Sequence, residues 1–489
     1  MNGTARSTKY SLFALLLACT AVTGGLLVTL PAKLLPFCIG ACILLGVAAF
    51  SLLQPIVLLY FVILTSAMAG LFRRFESLDI GVTGLSVSGF RWVVVAGIGL
   101  LVIGFNVQRI QIPRHLSPFL VFVLWVIVCE AVSFDAVGLK DLLFYGLPPL
   151  MGIYALFVLS LHQRVAGERI EKALLFSVYI PVALYAVFIP SGLVELTSDG
   201  PVGVLEPRPV ALYLAVVLAL SLAQWRYATR KTARLQGAMS SLLALGTILF
   251  TLSRIASLVA LSLLAALIVN PVKPNKSLLV IFVTLAVAPL VIYQIPAFRD
   301  RSFHQPDADL AELGNSFNSE GRLDYMWPTA FQHALESPLV GWGPGSTRVL
   351  LTSRSSSRKH DYEQYHPHNE YLQVFHDMGI IGVALLLLAW CSLLRKHWQG
   401  WRQAHCCGNA LQAKWNMAAT LGIVAVLISS VTDNTLHYAF VLIPLFIIVA
   451  AAMWVNGISI AWVRVLPAEQ GIKRAPPRQA ELNTKWQRA

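Results

Sequence analysis

The stretch Tyr365-His366-Pro367-His368-Asn369 sets two imidazoles beside a phenol and an amide. A neutral imidazole near pH 7 can take a proton from a hydroxyl, so His368 is a candidate base. Tyr365, His366 and Asn369 are candidates to orient it or to touch a substrate. His368 also reads as a helix cap or an interfacial polar side chain. A metal site built from His366, His368 and His376 is not favoured. Two of these stand two apart at a loop-to-helix start, and no carboxylate lies at ligand spacing, so no metal is expected. Pro367 suits the first turn of a helix. A helix is expected from there straight into an apolar run at 377–394, with His368, Tyr371, Leu372 and Phe375 on one face. Gly379 and Gly382 would then let another helix come close.

Three arginines and one aspartate form the second group. Arg254, in Thr251-Leu252-Ser253-Arg254, breaks an apolar stretch, where a charge is costly and usually functional. It also reads as a snorkelling arginine between two spans. Arg322 and Arg208, the latter in Glu206-Pro207-Arg208-Pro209, could grip two oxyanion oxygens through their planar forks or simply be solvated. Asp433 lies in the short turn Asp433-Asn434-Thr435-Leu436-His437 and either reaches the same pocket or caps a helix.

These groups must be held by membrane-spanning elements. The 489 residues are 57% hydrophobic and 12% charged, with a mean hydropathy of +0.69. An ordinary soluble domain is about 25% charged. The net charge of +13 is spread between apolar stretches, which argues against nucleic-acid binding. The fold expected is an all-α polytopic membrane protein of about 12–14 transmembrane helices, 14 by direct count, because about 20 apolar residues cross the hydrocarbon. They lie near 11–30, 34–52, 55–72, 91–108, 117–134, 142–161, 171–190, 209–225, 237–252, 255–270, 277–295, 377–394, 415–432 and 438–462. The first reads as a retained span, since its apolar run is longer than a typical signal core.

With the N-terminus inside, alternation places most of the 37 Lys and Arg residues on the inner side. Residues 1–296 then form an N-terminal transmembrane bundle and 297–376 a long, partly helical outer loop or cap. Residues 377–464 form the C-terminal transmembrane helices, and 465–489 a basic inner tail. Leu323, Met326, Trp327, Phe331 and Leu335 have helix-like spacing within the cap. Arg348, Arg354, Arg358 and Lys359 read as a solvated basic run or as an attractor for a phosphorylated partner. The cysteines offer no disulfide framework and no zinc spacing.

His368-Asn369, followed by Gly379-x-x-Gly382, resembles the signature of bacterial O-antigen ligases, in a superfamily shared with O-antigen polymerases. The Ser253-Arg254 pair, Gly321-Arg322 with Trp327, and Pro338 through Gly341-Trp342-Gly343 to Gly345 resemble further pieces of it. The resemblance covers residues 240–395. It implies an inverting glycosyltransferase in the bacterial inner membrane, with its site on the periplasmic face. The glycan would pass from undecaprenyl pyrophosphate to a sugar hydroxyl of lipid A–core. His368 would be the base, Arg254, Arg322 and Arg208 would hold the pyrophosphate, and no cofactor or metal would be needed. The alternatives are a polymerase extending lipid-linked repeat units and, from a different class, a membrane transporter.

Overall fold

The computed structural model describes residues 35–74, 87–106, 113–133, 136–197, 200–273, 326–354 and 366–458, with Arg322 and a few isolated positions. The expected spans at 11–30 and 277–295, Tyr365, Leu323, Arg358, Lys359 and the 465–489 tail lie outside the described residues.

The chain runs through α1 (Leu35–Leu53), α2 (Ile56–Ala67), α3 (Ala69–Arg74), α4 (Val87–Asn106), α5 (Ser117–Ser133), α6 (Ala136–Ser177) and α7 (Tyr179–Phe188). A hairpin of β1 (Val194–Thr197) and β2 (Gly200–Gly203) follows, then α8 (Pro207–Tyr227), α9 (Lys231–Phe250) and α10 (Arg254–Ala265). Later come α11 (Trp327–Ala334), α12 (Ser346–Arg354), α13 (Glu370–Cys406), α14 (Ala410–Ser429) and α15 (Ala439–Val455). Every expected span inside the described residues falls on one or two of these helices. Among the described residues, six segments are long and apolar enough to cross a membrane: Val137–Leu161, Val165–Phe188, Pro207–Tyr227, Lys231–Phe250, Glu370–Cys406 and Ala410–Ser429. Shorter apolar helices pack among them.

The hairpin amends the all-α expectation. Its four-residue strands pair Val194 with Gly203 and Thr197 with Gly200, too short a pattern to stand out beside apolar spans. It bears on the site through its exit. Val204 N donates to Leu193 O and Glu206 N to Gly70 O, which fixes the chain just before α8. Pro207 then occupies the first turn of α8, where a missing N–H is harmless, and Arg208 is presented at that end.

α8 is buried on all sides from Pro209 to Gln224 and lies against α9 and α14. An apolar helix with no polar face has to sit inside the bundle. α15, buried along most of its length, packs on α6, and α13 packs on α14 and α5. In lipid the association rests on packing and on hydrogen bonds between helices. Phe119 of α5 meets Trp390 of α13 edge-on at 4.7 Å, and Trp401 Nε1 donates to the Tyr227 hydroxyl at 2.8 Å.

α13 is broken at Gly379, which has φ 65° and ψ −172°. The displaced backbone groups are taken up by the Pro338–Gly345 loop. Trp342 N donates to His376 O, Gly343 N to Asp377 O, and Ile380 N to Pro338 O, while Trp125 Nε1 reaches Met378 O. Gly379 therefore admits a loop backbone and a left-handed φ rather than the neighbouring helix expected from its spacing. A Cβ there would lie 2.1 Å from Leu339 O. Gly379→Ala is expected to lower stability by more than about 2 kcal/mol, since left-handed φ alone costs a non-glycine residue about 1–3 kcal/mol. Thermal unfolding in detergent checks this. Gly46→Ala in α1, where a Cβ meets nothing within 4 Å, should leave the midpoint unchanged or raise it.

Candidate active site

His368 sits just before α13 in the left-handed region, with φ 51°. The helix does not begin at Pro367. Asn369 is its N-cap, and its side chain accepts from Leu372 N at 3.0 Å, so α13 starts at Glu370 and His368 lies outside the helix face expected for it. The preceding carbonyl, Pro367 O, accepts from Trp327 Nε1 of α11 at 2.6 Å. Among the described residues the other non-glycine with positive φ is Leu252, also 51°, in the turn that delivers Arg254 to the start of α10. Both strained positions flank residues singled out by their chemistry, and such strain gathers where function demands a particular side-chain direction.

Arg208 joins the pieces. Its Nε donates to Asp433 Oδ2 at 2.6 Å, and a terminal nitrogen donates to His368 Nδ1 at 3.2 Å. Asp433 Oδ1 accepts from the Tyr438 hydroxyl at 2.9 Å and from Asn434 N at 2.8 Å, and it lies 3.8 Å from His368 Nδ1. Arg322 donates to Thr432 O at 3.2 Å, which brings it beside the Asp433 turn. Residues 208, 322, 368 and 433 thus meet from four remote stretches of chain.

The charges act on one another. Burial, then the Arg208 and Arg322 charges, push His368 down to about 3. Burial would raise the Asp433 carboxyl, yet Arg208 and His368 outweigh it and hold it below the usual carboxylate range. Burial and repulsion from Arg208 and Arg254 pull Arg322 down to about 10. Arg254 is therefore close enough to belong to the same electrostatic cluster. At neutral pH His368 is an uncharged imidazole among cations, a setting suited to an anion beside a proton acceptor.

Behind this cluster lies a buried network that sequence reasoning missed. Arg348 is not part of a solvated run. It is 2% exposed and ion-paired with Asp141 of α6. His437 lies between Asp141, with Nε2 to Oδ2 at 3.3 Å, and Glu370, with Nδ1 to Oε1 at 3.5 Å. Glu370 accepts from Leu436 N at 3.0 Å, and its own N–H donates to Ser430 O. These bonds stitch the start of α13, which carries His368, to the turn that carries Asp433. His366 belongs to this layer. Its Nδ1 is 3.4 Å from Gln373 Oε1, which also accepts from Asn434 Nδ2, and burial with the Arg348 and His437 charges keeps it well below the ordinary histidine range. A carboxylate at the head of an apolar run was the one available signal for Asp141.

Burial alone would lower His437, but Asp141 and Glu370 push it up to about 9. The unfolded value is near 6.5. Its folded pKa being the higher, the stability it contributes is full below about pH 6.5 and is lost as pH rises through about 9. Thermal scans in detergent are expected to show wild type losing stability over that window, and His437→Gln lacking that step.

The loop before α12 is tied on by Asp377, whose carboxylate accepts from Gly345 N, Thr347 N and Ser346 Oγ at the start of α12. His333 of α11 contacts His376 Nε2 at 2.9 Å. The structure brings His368, Arg208, Arg322 and Asp433 together, with Arg254 in electrostatic range. It gives Asn369 to helix capping and His366 to the buried layer.

Residues 239–387 match the family model described as O-antigen ligase, which supports placing the chain in the O-antigen ligase superfamily. That family suggests a glycosyltransferase-like enzyme with lipid-linked glycan substrates and a lipid acceptor. Among curated proteins nothing matches the chain.

Proposed function

We propose, on the O-antigen ligase match and the Arg208–His368–Asp433 cluster, that this multi-pass membrane protein transfers an O-antigen glycan from undecaprenyl pyrophosphate to lipid A–core. The reaction takes place at the periplasmic face of the inner membrane. The observation that carries the reading is the contact of one arginine with both His368 and Asp433.

The leaving group is a lipid pyrophosphate, stable as an anion, so it requires cations more than a proton donor. Arg208, Arg322 and Arg254 supply them, with planar forks that hold two oxygens at once. The acceptor hydroxyl is poorly acidic and gains from a base. While Arg208 donates to Nδ1, the proton of the neutral His368 ring rests on Nε2. A pyrophosphate competes for Arg208 and draws it off. Nδ1 is then left to Asp433, the ring proton moves to Nδ1, and Nε2 is freed to take the acceptor's proton. The donor's charges also offset the arginines that depress His368. The base is thus armed by the donor. Direct displacement by the activated hydroxyl inverts the anomeric centre.

The test that separates ligase from polymerase is the product. Purified protein with lipid-linked O-glycan, lipid A–core and chelator should give a laddered glycolipid on a gel. Longer chains on the polyprenyl carrier, with no glycan on lipid A–core, would mean polymerase. Label moved across a vesicle membrane with no new glycosidic bond would mean transporter.

A further inference from the structure

α8 runs from Pro207 to Tyr227, so its two ends are about 30 Å apart at about 1.5 Å per residue. At the Tyr227 end, remote from His368, a cavity of about 310 Å³ opens between α6, α8, α9 and α14. Lys172 and Arg230 line it with exposed side chains, and Glu171 in the wall is held by Lys414 at 2.7 Å. Ala233, in the first turn of α9, also lines it, and α9 has no side-chain cap on its first amides. Such a helix start attracts an anion. It carries Arg230, Lys231 and Arg234 instead, basic groups that the positive end of a helix dipole disfavours unless an anion lies between them.

A second observation points to a ligand. Gln224 lines the same cavity, is 4% exposed, and its buried Oε1 has no hydrogen-bond partner. Leaving a buried acceptor unsatisfied is costly, so Gln224 Oε1 invites a donor from outside the chain. Tyr227 and Trp454 form aromatic walls, and Leu411 at the rim and Trp225 beside it are exposed. Amphipathic rings of this kind mark the membrane–water boundary.

We propose that this cavity binds the glycerophosphate headgroup of an anionic phospholipid. Lys172, Arg230 and the open start of α9 take the phosphate. A glycerol hydroxyl donates to Gln224 Oε1, and the acyl chains leave over Leu411 and Trp225. The site is independent of the transferase chemistry assigned above.

Native mass spectrometry of the detergent-purified protein, titrated with phosphatidylglycerol, phosphatidic acid, phosphatidylcholine or glycerol 3-phosphate, tests it. One phosphatidylglycerol should bind in preference to phosphatidylcholine. The double variant Lys172→Gln/Arg230→Gln, whose replaced side chains are exposed, should bind it at least about tenfold more weakly with an unchanged unfolding midpoint. Gln224→Leu should weaken phosphatidylglycerol more than phosphatidic acid, which lacks the glycerol hydroxyls. Unaltered phosphatidylglycerol affinity in the double variant would overturn the site. Equal effects of Gln224→Leu on the two lipids would overturn the headgroup assignment. Displacement of the lipid by glycerol 3-phosphate at matching concentration would make this a site for a soluble anion.

Discussion

Replacing His368 with alanine is expected to cut turnover of the lipid-linked glycan by about 10²–10⁴-fold, the usual worth of a positioned base. Donor binding should survive, because the arginines remain. The pH profile distinguishes a base from a structural histidine. In the free protein His368 lies at about 3, so kcat/KM should stay level well below pH 6.5 and fall only as that value is approached. The donor complex differs: pyrophosphate charge offsets Arg208 and Arg322, so the acid limb of kcat should lie at higher pH than that of kcat/KM. Initial rates with radiolabelled glycan across pH give both limbs. Coincident limbs near pH 6.5 would mean that the arginines do not govern His368.

Asp141→Asn should have the largest effect on stability. Asp141 is fully buried and serves both Arg348 and His437. Removing its charge leaves two buried cationic groups without that carboxylate, a kind of loss that costs about 3–5 kcal/mol. A markedly lower unfolding midpoint in detergent is expected. Asp141→Asn/Arg348→Met should recover part of the loss, because a buried pair replaced on both sides by neutral groups is tolerated far better than one broken on one side. Activity should fall along with the midpoint, since the same network ties the start of α13 to the Asp433 turn.

How much of this was legible in the sequence depended on whether the signal was local. Apolar runs of span length located the helices, and His368-Asn369 with its glycines pointed to the candidate site. Arg208 could be read as an arginine able to grip oxyanion oxygens, and Asp433 as a turn residue able to reach the pocket. The Asp141–Arg348 pair joins residues 207 apart, which no spacing rule reveals. Arg348 stood among other basic residues and so read as solvated or as an attractor for a phosphorylated partner, whereas it is buried. Pro367 was a fair helix start, but Asn369 is the better cap because its side chain satisfies Leu372 N. That choice puts His368 outside the helix and turns it toward Arg208. Gly379 read as a packing glycine, since small residues usually serve that purpose in membranes. Its left-handed φ only has meaning once the Pro338–Gly345 loop is in place.

The measurement that tests the central claim most directly separates donor binding from transfer in one preparation. Reconstituted wild type, His368→Ala and Arg322→Gln are each given radiolabelled lipid-linked glycan, lipid A–core and a chelator. Bound donor and transferred glycan are then counted over a single turnover. Wild type should bind and transfer, His368→Ala should bind and fail to transfer, and Arg322→Gln should bind about 10–100-fold more weakly, the worth of hydrogen bonds to a charged group. Transfer by His368→Ala at the wild-type rate would contradict the account.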